Sequence, residues 1–248
     1  MPNRGTLAIN FTIGFGNNLF QYCYGRLLAE KNNLQIHHRA IPEMGVPAAV
    51  ANVDKGLPTI VVNDTNYKKV FFTQNLENCN VVVGGYFEDY KIFEPYLKEI
   101  RGWFKHPGIS NKKDLVLHLR LQNRLIQISH NQNHISSDAF KRAIDNFDYE
   151  NLHIVTDAEK WNKYDLSDIH KIQDEIRIGP NPPNNSPWVE TEQSLEYMNH
   201  LIDGLSDLNP ILHCTNSETI KGSGGLRGSF MNDFNLLRTF NQVIIFNS

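Results

Sequence analysis

The 248-residue chain has little cysteine, no block of one charge and no long apolar run. Its three cysteines, Cys23, Cys79 and Cys214, stand far apart, which fits neither a disulfide framework nor a zinc knuckle. A reducing compartment follows as the expectation, with the cytoplasm as the location. No segment approaches the roughly 20 apolar residues of a membrane span. Leu7-Ala8-Ile9-Asn10, behind Met1-Pro2-Asn3-Arg4, is too short an apolar run for a signal peptide. A net charge of -3 without a basic block removes the counterion release that drives nucleic-acid binding, so no such partner is expected. His37-His38 and His213-Cys214 are adjacent pairs on expected strands, where neighbouring side chains point to opposite faces, and no metal site is expected from them. Asp157-Ala158-Glu159 lacks the wider oxygen cluster that a cation on a diphosphate needs.

What is present is enough apolar material for a core: 40% hydrophobic residues against 21% charged, with 14 Phe and 9 Tyr. Such a composition offsets the ordering entropy of a globular fold and excludes general disorder. Strand-like runs span Thr6 to Phe11, Leu34 to His37, Thr59 to Val62 and Val81 to Val83. Leu19, Phe20, Cys23, Leu27 and Leu28 recur at helical spacing after the first of them. Pro42 to Pro58 reads as loop with short pieces of structure, and Glu88 to Phe104 as a helix that Pro95 kinks or restarts. Pro107-Gly108, followed by Ser110-Asn111-Lys112-Lys113, reads as an interdomain linker.

The alternation then resumes. Strands are expected at 115–119, 152–155, 211–214 and 243–246, with helices capped at Ser136 and spanning 192–205 and 231–240. Strands separated by helices imply parallel sheets with ligands at their carboxyl ends. The expected architecture is α/β, with one domain over 1–108 and a second over 109–248.

Four segments offer chemistry, each with two readings open. Gly14-Phe15-Gly16-Asn17-Asn18 passes from strand to helix. Its glycines allow a close-approaching anionic ligand at the helix start, or serve only a tight turn with Asn17 as cap. Leu19 stands where the third glycine of a dinucleotide fingerprint belongs, and Gln35 and His37 replace its acidic residue, so a nicotinamide enzyme ranks last. His118 and Arg120 share one side of a strand's carboxyl end. Arginine's planar fork suits a diphosphate, and the alternative is a solvated side chain. Thr156-Asp157 ends a strand and Asp233 opens a helix. Either Asp caps a helix or binds a ligand, Asp233 by accepting from a guanine's N-H groups.

In order along the chain these segments resemble the α-1,2-fucosyltransferase family and its α-1,2/α-1,6 superfamily. Gly14-Phe15-Gly16-Asn17-Asn18-Leu19-Phe20-Gln21-Tyr22 with Arg26-Leu27-Leu28-Ala29 is similar to that family's G-x-G-N-x-x-F-Q-Y-x-x-x-R-x-L-A start. Gly85-Tyr86-Phe87-Glu88-Asp89-Tyr90-Lys91-Ile92-Phe93 resembles its G-Y-F-Q-x-x-K-Y-F segment, and His118-Leu119-Arg120 falls on H-x-R-R-x-D. Thr156-Asp157 and Asp233 fall on the T/S-D strand end and the acidic residue of the last helix. The resemblance implies a GT-B pair of Rossmann-like domains that transfers fucose from GDP-fucose to a glycan with inversion, no cofactor and no obligatory metal. It implies Arg120 as the catalytic group on the β-phosphate and His118 and Asp233 on the guanine side. Thr156, Asp157 and Ser248 complete the donor set, and Gly14, Gly16, Asn17 and Asn18 form the glycine loop near the sugar.

Three departures stand out. Leu121 replaces the family's second arginine, leaving Arg124 or Arg227 to assist Arg120, and Asn123 replaces an aspartate, so its amide cannot serve as base. The family continues beyond an Asn-Ser like Asn247-Ser248 into T-F-S-W-W and a closing helix. A chain cut at the diphosphate loop is therefore the expectation, and a non-catalytic GDP-sugar or glycan binder is the alternative function.

Overall fold

The computed structural model describes residues 5–12, 14–119, 135–156, 158, 161–163, 165, 192–214 and 230–246. The chain divides into two compact units, the first ending at His106 and the second beginning at Pro107.

The first unit runs β1 (Thr6–Ile9), α1 (Phe15–Lys31), β2 (Gln35–His37), β3 (Thr59–Val62), α2 (Tyr67–Thr73), β4 (Asn80–Val83), α3 (Tyr90–Phe93) and α4 (Leu97–Trp103). The four strands pair in parallel in the order β2-β1-β4-β3, with Leu7 and Ile60 both opposite Val81. Val and Ile suit these strands, whose covered face is apolar. Leu7, Val62, Val81 and Val83 are buried accordingly. Helix α1 lies close on the sheet at Gly25, where an added Cβ would meet Ile9 Cδ1 at 2.6 Å. It stops at Asn32, whose Nδ2 donates back to the Leu28 carbonyl at 2.9 Å while its Oδ1 accepts from Leu76 N at 2.9 Å.

Two expectations change here. Helix α2 has no counterpart in the sequence reading, because only Val70 and Phe71 of its seven residues are buried and no periodic stripe forms. The expected helix over 88–104 is three pieces, α3, a 3-10 turn at Glu94–Tyr96 and α4. Pro95 sits at the start of that turn, and α4 begins at Leu97, beyond it.

The second unit runs β5 (Asn111–Leu119), α5 (Ser137–Ile144), β6 (Leu152–Thr156), α6 (Glu192–Leu205), β7 (Ile211–Cys214), α7 (Phe230–Leu237) and β8 (Phe240–Phe246). Its sheet is parallel in the order β7-β6-β5-β8. Leu115, Leu117, Leu119 and Ile154 face α5 and α6, whereas Val116, Val155 and Phe240 pack with Leu236 and Leu237 of α7. Ser136 caps α5 by accepting from Ala139 N at 3.2 Å. The stretch read as a linker is strand from Asn111 onward. Asn111 pairs with Phe240, and the register shifts before Leu115.

Both units are α/β with parallel sheets, a layout compatible with Rossmann-like units. Among the described residues no helix is long and apolar enough to cross a membrane. No group of three or more His, Cys, Asp or Glu among them could hold a metal ion.

Candidate functional site

In the first unit β1 and β4 are the two central strands, and open parallel sheets hold ligands beyond their carboxyl ends. The loop after β1 leads through Gly14 into α1. Gly14 adopts φ 110°, a conformation L side chains rarely take, so glycine is required there. It also occupies the helix cap position, and no side chain caps α1. Asn17 is therefore not the cap: it lies inside the first turn, its amide against Gly14.

Gly16 is exposed, and among the described residues nothing outside its own helix turn lies within 4 Å of where its Cβ would be. Packing explains Gly25 but not Gly16.

Asn18 and Gln21 form the scaffold beneath. Asn18 is 2% exposed and, in the amide orientation that satisfies both ends, donates to Thr12 O at 2.9 Å and accepts from Arg39 Nη2 at 3.2 Å. Gln21, fully buried, accepts from Thr12 N at 3.0 Å and donates to Gly85 O at 2.6 Å. One amide thus ties the loop after β1 to the loop after β4, the two central strands. Asp64, after β3, receives Tyr86 N at 2.8 Å and Phe87 N at 2.9 Å. Phe87 is held at φ 57° and stacks on Tyr24 with centroids 4.3 Å apart. A bulky residue in this region is strained and persists only where its surroundings over-determine it. The result is a rigid rim on which Gly14, Gly16, Arg39, Asp64 and Tyr86 are exposed.

The remaining motif residues of α1 pack rather than reach out. Phe20 meets Phe93 at 5.7 Å, Tyr22 meets Phe104 at 5.7 Å, and Arg26 lies over the Trp103 ring at 4.3 Å. A small pocket of about 210 Å³ opens between α1 and β2, toward the end of α1 opposite the glycine loop. Its charges already satisfy one another, Arg26 Nε standing 2.8 Å from Glu30 Oε1 and Arg26 Nη1 donating to Tyr22 Oη at 2.9 Å.

In the second unit His118 is half-buried on the α7 side of β5, opposite Val155 of β6 and Ile245 of β8. Asp233, also half-buried, lies in the first turn of α7 and not at its cap. Thr156 is turned the other way. It is fully buried opposite Leu119, and its hydroxyl accepts from Ala158 N at 3.1 Å. Its position is that of a turn-forming residue and offers no surface to a donor. Arg120, Asp157 and Ser248 lie outside the described residues, as do Leu121, Asn123, Arg124 and Arg227.

A cluster that sequence reasoning missed occupies the same face. His153 Nδ1 and His213 Nε2 are 2.9 Å apart, and Asp114 Oδ2 stands 3.4 Å from His153 Nε2. The His213 pKa is lowered by burial and by the neighbouring His153, while the Asp233 carboxylate opposes the shift. The three residues sit on three strands and have no spacing signal, so only register brings them together. Neither the family models, nor curated proteins, nor solved structures contain a match to this chain.

Proposed function

We propose that the chain is a glycosyltransferase of GT-B design that transfers fucose from GDP-fucose to a glycan hydroxyl. One positional observation carries this reading. Residues singled out by motif, Gly14 and Gly16 in one unit and His118 in the other, fall at the carboxyl ends of parallel strands, where α/β folds bind ligands. Gly16 adds support, since it has no packing partner to explain it. The acceptor belongs to the first unit in this reading and the donor to the second, with His118 and Asp233 toward the base.

In the reaction the acceptor oxygen bonds to the anomeric carbon as that carbon's bond to the β-phosphate oxygen breaks. GDP departs with the electron pair, and the Arg120 guanidinium offsets the charge it gains. The acceptor's proton goes to a group other than Asn123, whose amide has no basic lone pair to offer. Leu121 and Asn123 favour a second reading, a GDP-sugar-binding protein that does not turn over.

Calorimetric titration with GDP-, UDP- and ADP-sugars tests the donor class. GDP-fucose should bind most tightly, and Arg120→Ala should abolish binding. Equal affinity for all three sugars would remove the fucose assignment, and unchanged binding by the variant would remove the role of Arg120. Binding without transfer to any of a panel of galactosides would select the second reading.

A further inference from the structure

His153 of β6 and His213 of β7 form a pair whose geometry restricts how many protons it holds. Their facing nitrogens are 2.9 Å apart, their centroids 5.2 Å apart and their planes within 8°. With nitrogens that close, this centroid separation is the full reach of two imidazoles lying edge to edge in one plane. Face-stacked rings joined by the same contact would have nearer centroids. The lone pair of one nitrogen therefore points straight at the proton of the other. A shared metal ion would need both lone pairs to converge on a third point, which this line forbids.

The surroundings are close and mostly dry. The side chains of His153 and Asp114 are 12% and 18% exposed. Asn151 Nδ2 donates to Asp114 Oδ1 at 2.9 Å, and the Phe240 ring stands edge-on to His153 at 4.8 Å. Asp114 and His118 face the pair's side of the sheet from β5, Asp233 belongs to α7, and Arg238 follows that helix, lying over Phe234 at 5.3 Å. From β8, Phe240 and Val243 belong to the apolar cluster on this face. Among the described residues β7 is the edge strand, bonded through its backbone to β6 alone, and Ile211 and Leu212 are 45% and 39% exposed.

We propose that the His153–His213 pair is a proton-operated latch on β7, closed with no added proton or one and open with two. In the neutral pair one proton lies between the facing nitrogens and one on an outer nitrogen. A first added proton takes the remaining outer nitrogen, and the shared bond survives. A second has no site except the facing lone pair. Two N–H groups then point at each other across 2.9 Å with a full charge on each ring, and the rings must part. Movement of His153 disturbs Phe240, against which Leu236 and Leu237 of α7 pack, and β7 loses its cross-strand staple. Opening belongs to the second protonation, which the charge of the first opposes.

The latch rests on geometry alone and stands whether or not the donor reading holds. Long-range ¹⁵N–¹H correlation at pH 7 should find one facing nitrogen protonated and the other bare, with slow exchange of the shared proton. Hydrogen exchange of the 212–214 amides, corrected for intrinsic chemistry, should accelerate at least about tenfold between pH 7 and pH 4.5 while α6 stays protected. His153→Phe should show fast exchange in β7 at both pH values. Two solvent-exchanging facing protons at pH 7 would overturn the latch, as would loosening of β7 and α6 together or a wild-type pH profile in His153→Phe. The tautomer measurement uses the wild-type protein and decides the matter even if the variant does not fold.

Discussion

Gln21 is the residue whose replacement tests the first unit's rim most sharply. Its amide has no exposed surface, takes the Thr12 N–H at 3.0 Å and gives a proton to Gly85 O at 2.6 Å. Gln21→Ala leaves the buried Gly85 carbonyl unpaired, at about 1–3 kcal/mol, and loses a part-buried bond to Thr12 worth about 1 kcal/mol. The expected loss is about 2–4 kcal/mol, or roughly 10–20 °C in the first unit's Tm. Gln21→Glu is more diagnostic because it keeps the size and the acceptor for Thr12. Its second oxygen faces the Gly85 carbonyl, so it fits only when protonated. Burial raises the glutamic acid above its ordinary value of about 4.3, so the variant's stability is present below that value and lost as pH rises through the raised one. Urea unfolding, followed by exchange at β1 and β4 amides, should therefore find Gln21→Glu near wild type at pH 4 and strongly weakened at pH 8. Gln21→Ala within about 0.5 kcal/mol of wild type, or a Gln21→Glu deficit that ignores pH, would refute the bridging role.

Four further outcomes are expected. Gly14→Ala, at φ 110° with Asn17 Nδ2 only 3.3 Å from the added methyl, should lose about 1–2 kcal/mol in thermal melts. Gly16→Ala, in open space on a helix, should gain up to about 1 kcal/mol in the same melts while lowering sugar transfer; shifts of the same sign would contradict the placement. Burial pushes the Cys23 thiol up to about 12, so a maleimide should modify Cys79 first and reach Cys23 only on unfolding, as peptide mass mapping would establish. The pKa of His38 is lowered, chiefly by burial, with its bond to the Arg39 carbonyl opposing. Its contribution to stability is complete above the unfolded value of about 6.5 and declines as pH falls below it, a decline that His38→Gln should flatten in denaturant titrations from pH 7.5 to 5.5.

Much of the frame was legible because burial in a parallel sheet writes itself into sequence. Leu115 to Leu119 is an apolar run since Leu115, Leu117 and Leu119 are buried on one face and Val116 on the other, while Val81 and Val83 are buried together on one face of theirs. Helix α2 was not legible, because its few buried positions carry no period. The polar start of β5, from Asn111 to Lys113, resembled a linker because a strand end held by Phe240 and Thr239 needs no apolar run.

The motif around Gly14 was visible as a motif, yet its division of labour was not. Gly14 serves backbone geometry, Asn18 and Gln21 hold two loops, Gly25 admits Ile9, and Gly16 faces open space. Sequence by itself determined the alternation of strands and helices and the residues that close each strand, because those follow from local periodicity and turn chemistry. Tertiary structure alone decided that Thr156 turns inward, that Gln21 joins the loops after β1 and β4 and that His153 meets His213. Each depends on register between distant segments, and a one-residue slip would send every one of these side chains to the opposite face.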